Sequence, residues 1–166
     1  MIRVTACLAL LCVLLSAPTT SSAQSAAGPT QSINGNPFGL LLGWFNAEYE
    51  RKVNDSVAVV VGGSYWDADG DKEAYINGDV MVRYFPQQRA LRGFYVGTKV
   101  GLTRTESART RFGIGVDAGY QWTLGPDGRF FLATGFGLKR LFGATDQWYA
   151  PDVVPTFRIV NVGIAF

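Results

Sequence analysis

The chain has 166 residues, with 15 basic against 13 acidic side chains and no histidine. One domain is the default at this length. The near balance of charge lacks the strongly basic face that nucleic acid requires, so no nucleic-acid partner is expected. Without histidine there is no ordinary base titrating near neutrality, and no catalytic set and no cofactor site emerge.

The chain opens on an export signal. Arg3 precedes an apolar run, Ala6 to Leu15 (ACLALLCVLL), and small polar residues ending in Ser21-Ser22-Ala23. Residues 1–23 read as a cleavable signal peptide, because the apolar run is well short of the roughly 20 residues of a spanning helix. Cys7 and Cys12 both fall inside it. The mature chain is therefore expected to hold neither a disulfide nor a thiolate metal site. Residues 24–31 (QSAAGPTQ) read as a flexible start.

From residue 32 to 166 the period is two rather than 3.6. Strands are expected near 32–41, 44–53, 56–66, 73–85, 92–104, 111–123, 129–142 and 154–166. The first is the least regular, since Gly35 and Pro37 are poor strand residues. The breaks carry turn chemistry: Asn54-Asp55, Asp67 to Lys72, Pro86 to Leu91, Thr105 to Thr110, Leu124 to Gly128 and Gly143 to Asp152. Between breaks the two faces differ. Phe112, Ile114, Val116, Ala118, Tyr120 and Trp122 alternate with Gly113, Gly115, Asp117, Gly119 and Gln121. The fold class expected is all-β: an antiparallel, up-and-down, eight-stranded transmembrane barrel.

The last segment, Phe157 to Phe166, puts Val160, Val162, Ile164 and Phe166 on one face and ends on an aromatic. It resembles the terminal strand of outer-membrane barrels, with Gly163 standing where an aromatic is common. The stretch after the signal is similar to small OmpA/OmpX-type and related porin-like β-barrel proteins, as are Asn36-Pro37 and Glu48-Tyr49-Glu50-Arg51. The resemblance implies an outer-membrane location and recognition of Val160, Val162, Ile164 and Phe166 by the barrel assembly machinery. It also implies outer-membrane lipid and lipopolysaccharide as surroundings, and a monomer. It implies little about activity, because one architecture hosts many functions.

The inner face is expected to carry Gly62, Gly97, Gly101, Gly113, Gly115, Gly119, Gly135, Gly137 and Gly163. These make room for Glu48, Glu50, Asp79, Arg83, Lys99, Asp117, Gln121 and Lys139. An eight-stranded lumen is just wide enough for side chains to fill, so these residues are expected to form a salt-bridge network. Lys99 is placed to bridge Asp79 and Asp117, and Glu48 and Glu50 to pair with Arg83 or Arg51. Aromatics from Trp44 to Tyr149 gather at strand ends, as interfacial girdles do. Asp67, Asp69, Asp71 and Glu73 alternate as oxygen ligands in a calcium loop would, but lack the full spacing; a solvated acidic loop is the plainer reading.

These features together predict a non-enzymatic integral outer-membrane barrel with a structural, adhesion or envelope-integrity role. The alternatives are a soluble lipocalin-like barrel binding an apolar ligand, or a narrow pore for ions or small solutes.

Overall fold

The computed structural model describes residues 28–39, 43–66, 75–105, 110–143 and 152–166. The signal segment 1–23, residues 24–27, the acidic stretch Asp67 to Glu73, and Trp148 and Tyr149 lie outside the described residues. The strands are β1 (Gln31–Gly35), β2 (Trp44–Lys52), β3 (Val57–Trp66) and β4 (Tyr75–Tyr84), followed by β5 (Gly93–Thr105), β6 (Arg111–Leu124), β7 (Phe130–Phe142) and β8 (Val153–Ala165). Each pairs antiparallel with the next, and β1 pairs with β8, closing an up-and-down barrel.

Alternation decides which side chain faces in. In β4, Asn77, Asp79, Met81 and Arg83 are buried while Ile76, Val80, Val82 and Tyr84 are exposed. The register then sets long side chains against glycines around the wall. Glu48 faces Gly62, Gly62 faces Asp79, and Asp79 faces Gly101. Arg83 faces Gly97, Gly97 faces Asp117, and Asp117 faces Gly137. A side chain that must lie across a narrow lumen needs a neighbour with no Cβ, and this alternation supplies one.

The first strand is shorter than the expected 32–41. It starts at Gln31 and stops at Gly35, ahead of Pro37, which lacks a donor for the ladder. Asn36 continues the contact by donating to the Asn46 carbonyl at 3.2 Å, and Asn36 Oδ1 then accepts from Phe38 and Gly39. The end of the 24–31 segment is also tied down. The Thr30 and Gln31 N–H groups both donate to the Phe166 carbonyl, at 2.9 and 2.8 Å.

The turns 53–56, 85–92 and 125–129 share one end of the barrel with the start of β1 and with Phe166. Gly125 and Gly128 take positive φ in the β6–β7 turn, where a side chain is strained. The β4–β5 turn folds back into the lumen. Phe85 and Leu91 are fully buried there with Ala58, Ala90 and Tyr95, and the Phe85 and Tyr95 rings lie 5.8 Å apart. Leu91 holds φ of 70°; such a conformation costs about 1–3 kcal/mol, which burial of its side chain offsets. A second, separate cluster, Phe131, Ala133 and Ala165, lies near the same end, and the two together give this end an apolar floor.

Among the described residues, β8 carries the one irregularity in register. Ala133 pairs with Asn161 but Gly135 pairs with Arg158, so Ile159 and Val160 together oppose Thr134. This is a β-bulge, one extra residue on one strand. The Thr134 hydroxyl donates to the Arg158 carbonyl at 3.0 Å, occupying an acceptor beside the interrupted ladder. The bulge reverses the phase of the strand. Val162, Ile164 and Phe166 point outward below it, and Phe157 and Ile159 point outward above it.

Candidate functional site

The lumen above the floor is the one place where charged groups converge among the described residues. Arg83 is its centre. Its Nη1 donates to Glu50 Oε2 at 2.7 Å and its Nη2 to Glu48 Oε2 at 2.9 Å. Its guanidinium also lies 4.6 Å from the centre of the Tyr95 ring, a cation–π distance. Gln121 Nε2 donates to the same Glu50 oxygen at 2.7 Å. Arg51, the other expected partner of the glutamates, points outward and is exposed.

Lys139 Nζ donates to Asp79 Oδ1 at 2.5 Å and to Asn77 Oδ1 at 2.6 Å. Asn77 in turn donates to Asp79 Oδ2 and accepts from the Thr103 hydroxyl. Lys99 does not bridge Asp79 and Asp117 as its sequence position suggested. Its ladder neighbours are Met81 and Gly115, and its ammonium donates to Thr156 Oγ1 at 2.5 Å. Asp79 and Asp117 lie on the diagonals from Lys99, within its electrostatic reach but not in contact, and Asp79 pairs directly with Lys139.

Arg158 is the residue that period-two reasoning misses. Counting back from Phe166 puts it outside with Val160, Val162 and Ile164, but the bulge turns it in. Arg158 donates through Nε to Glu48 Oε1 at 3.0 Å, again to Glu48 through Nη2, and to the Tyr95 hydroxyl through Nη1. The signal was present in the sequence: Phe157 and Ile159 flank Arg158 as an apolar pair out of phase with the residues that follow. Asn161 is also inward and donates to Asn34 across the β1–β8 seam at 2.8 Å.

Glu48, Glu50, Asp79 and Asp117 thus share the lumen with Arg83, Lys99, Lys139 and Arg158. A fifth buried cation, Arg111, pairs with Asp152 at 2.7 Å, so each buried charge has an opposite, as buried ions require. Asp117 is different in detail. Both its oxygens are buried and accept no hydrogen bond; Arg83 and Arg158 stand 3.7 and 3.6 Å away. Asn46 Oδ1 is likewise buried without a donor. Both residues border a cavity of about 90 Å³ in the half of the lumen away from the floor.

Val162, Ile164 and Phe166 lie on the outer face, and Val160 sits within the bulge. The candidate calcium ligands Asp67, Asp69, Asp71 and Glu73 lie outside the described residues. No protein family, curated protein or solved structure is found to match the chain.

Substituting Lys99 with alanine tests the weight of the upper network. It leaves Thr156 without its donor and the lumen one cation short. The expected loss is about 1–3 kcal/mol, the range for a buried polar group deprived of its partner, read as a lower urea midpoint. An unchanged midpoint would show that Lys99 adds nothing to stability.

Proposed function

We propose that the chain is an integral outer-membrane β-barrel, a monomer of the small OmpA/OmpX-like kind. Its role is structural, adhesive or one of envelope integrity, rather than enzymatic. The observation that carries this reading is the inverted polarity of the wall. Every strand exposes large apolar side chains, among them Ile33, Phe45, Val61, Val82, Leu102, Ile114, Leu138 and Ile159, while the strand carboxylates lie inside and the exposed charges Arg51, Arg104 and Arg140 sit close to strand ends. In water, contiguous apolar patches beyond a few hundred Å² are uncommon on a monomer; in lipid this arrangement is the expected one. Export through the 1–23 segment and folding by the barrel assembly machinery belong to the same reading. Lipid and lipopolysaccharide are then its neighbours.

The polar lumen counts against a lipocalin-like carrier, which needs an apolar interior. The floor of Phe85, Leu91 and Phe131 counts against a through-going pore. The test is fractionation followed by electrophoresis in detergent with and without boiling. The protein is expected in the membrane fraction, with a folded band whose mobility shifts on heating. Recovery in the soluble fraction without a shift would overturn the proposal.

A further inference from the structure

The end of the barrel that carries the turns 53–56, 85–92 and 125–129 is unevenly charged. Its exposed charges are Arg51, Arg89, Arg92 and Arg129 against Asp55 and Asp127. Lys52, partly exposed, pairs with Asp55 at 2.6 Å and takes that carboxylate out of the balance. Among the described residues, none of the four arginines has an ion-pair partner.

The two signs sit at different depths. Arg51 belongs to β2 and points outward two residues beyond Tyr49 on the same face. Arg92 stands two residues before the exposed Phe94, and Arg129 one residue before the exposed Phe130. Asp55 and Asp127 lie in the middle of their turns, beyond the strand ends. Local folding produces this layering. Leu91 turns inward at positive φ and is buried, which leaves Arg92 outside. The Arg129 carbonyl accepts from the Ala165 N–H at 2.8 Å, which fixes its backbone at the start of β7.

Tyr84, Phe94, Tyr120 and Phe130 are exposed on the outer wall at the same end. Trp122 joins them, its ring 4.6 Å from that of Tyr120. In a bilayer such aromatics mark the interfacial level. Each further residue of a strand adds about 3.3 Å, so one or two residues past the rings set a guanidinium at the depth of lipid phosphates. The long arginine stem can extend to that level as well. A guanidinium then meets a phosphate with paired N–H donors.

The three arginines of this layer are spread around the rim, on β2 and at the starts of β5 and β7. At about 4.8 Å between neighbouring strands, β2 and β5 are separated by roughly 14 Å of wall. Arg51 and Arg92 therefore cannot close on one small anion, whereas a surface of many phosphates meets all three. The acidic tips of the turns count against a polyanion lying beneath them.

We propose that this end of the barrel binds the phosphates of an anionic phospholipid leaflet through Arg51, Arg92 and Arg129. The inference rests on the membrane reading above and adds to it the class of lipid and the end of the barrel that selects it.

Trp122 is the reporter. It points outward on β6 and pairs with Leu132, three residues along β7 from Arg129. The test uses phosphatidylcholine vesicles holding the full mature chain with Trp122 as its sole tryptophan. Lipids with brominated acyl chains quench tryptophan at short range. Brominated phosphatidylglycerol, which is anionic, is compared with brominated phosphatidylcholine, which is not. Half-maximal quenching is expected at a roughly fivefold lower mole fraction of the glycerol lipid, the factor equivalent to ~1 kcal/mol for one arginine near an anionic surface. Arg129→Gln is expected to bring the two lipids close to parity at Trp122. Arg140→Gln, toward the other end of β7, is expected to leave the preference standing. Both side chains are exposed, so both variants should keep the fold. Parity in the parent chain, a preference unchanged by Arg129→Gln, or an equal loss in the two variants would overturn the proposal. Absence of quenching by both lipids is a different result: it would overturn the membrane reading, and this inference with it.

Discussion

Replacing Arg83 with methionine is expected to destabilise the barrel by about 3–5 kcal/mol, the range for removing one partner of a buried ion pair. Arg83 and Glu50 are both fully buried. Methionine is apolar and close in length, so the loss comes from charge rather than from a void. Glu50 would retain only the hydrogen bond from Gln121, and Glu48 would keep only Arg158. The Tyr95 ring would lose its cation as well. The check is a urea titration of the folded protein. The double variant with Glu50→Gln should recover a large part of the loss, because the stranded charge goes with its partner. A double variant no better than the single one would mean that packing around Arg83, not its charge, holds the lumen together.

Substituting Gly163 with alanine is expected to be as damaging, for a different reason. A Cβ built there lies 2.0 Å from the Ile33 carbonyl oxygen and 2.6 Å from Asn34 Cα. Both are backbone atoms, so no flexible side chain can swing aside. Overpacking in a core costs about 1–3 kcal/mol when side chains can adjust, and here the strand itself must move. β1 is the shortest strand and meets β8 over only four residue pairs, Ser32 to Gly35, so the seam has little else to hold it. The predicted result is a large loss of folded protein on refolding. Gly78→Ala is the control, since nothing lies within 4 Å of a Cβ there. Equal refolding of the two variants would show that the seam tolerates the added carbon.

The value of Gly163 also explains why it departs from the aromatic of the terminal-strand resemblance. The residue is inward at the closing seam, where β1 runs too near for any side chain.

Much of the architecture is legible in the residues themselves. Alternation is local, so the faces of β4, β5, β6 and β7 follow from the residues themselves. The turns declare themselves through Gly125, Gly128 and Asn54, whose backbone needs are local too. What depends on a partner strand was less readable. Lys99 lies in the lumen as its alternation implies, but its partner is set by the stagger between strands, which no single strand encodes. β1 was overextended because its end depends on Pro37 and on the approach of Gly39 to Trp44. Arg158 was hidden by an extra residue that only the pairing with β7 reveals. The floor is hard to see in the sequence because Pro86 to Leu91 carries turn chemistry. Its apolar Leu91 was the clue.

The bulge in β8 makes chain length a constraint as strict as composition. Between Arg158 and Asn161 the strand spends two residues where β7 spends one. Deleting Val160 would leave the chemistry of every other residue untouched and restore an even ladder. It would also turn the strand above it inside out. Arg158 would be carried to the outer surface, and Phe157 and Ile159 would be driven into the lumen against Glu48 and Tyr95. No point substitution elsewhere in the strand rearranges so many contacts at once. The position of Arg158 is thus held by arithmetic, and a gap in this stretch is the change the barrel can least absorb.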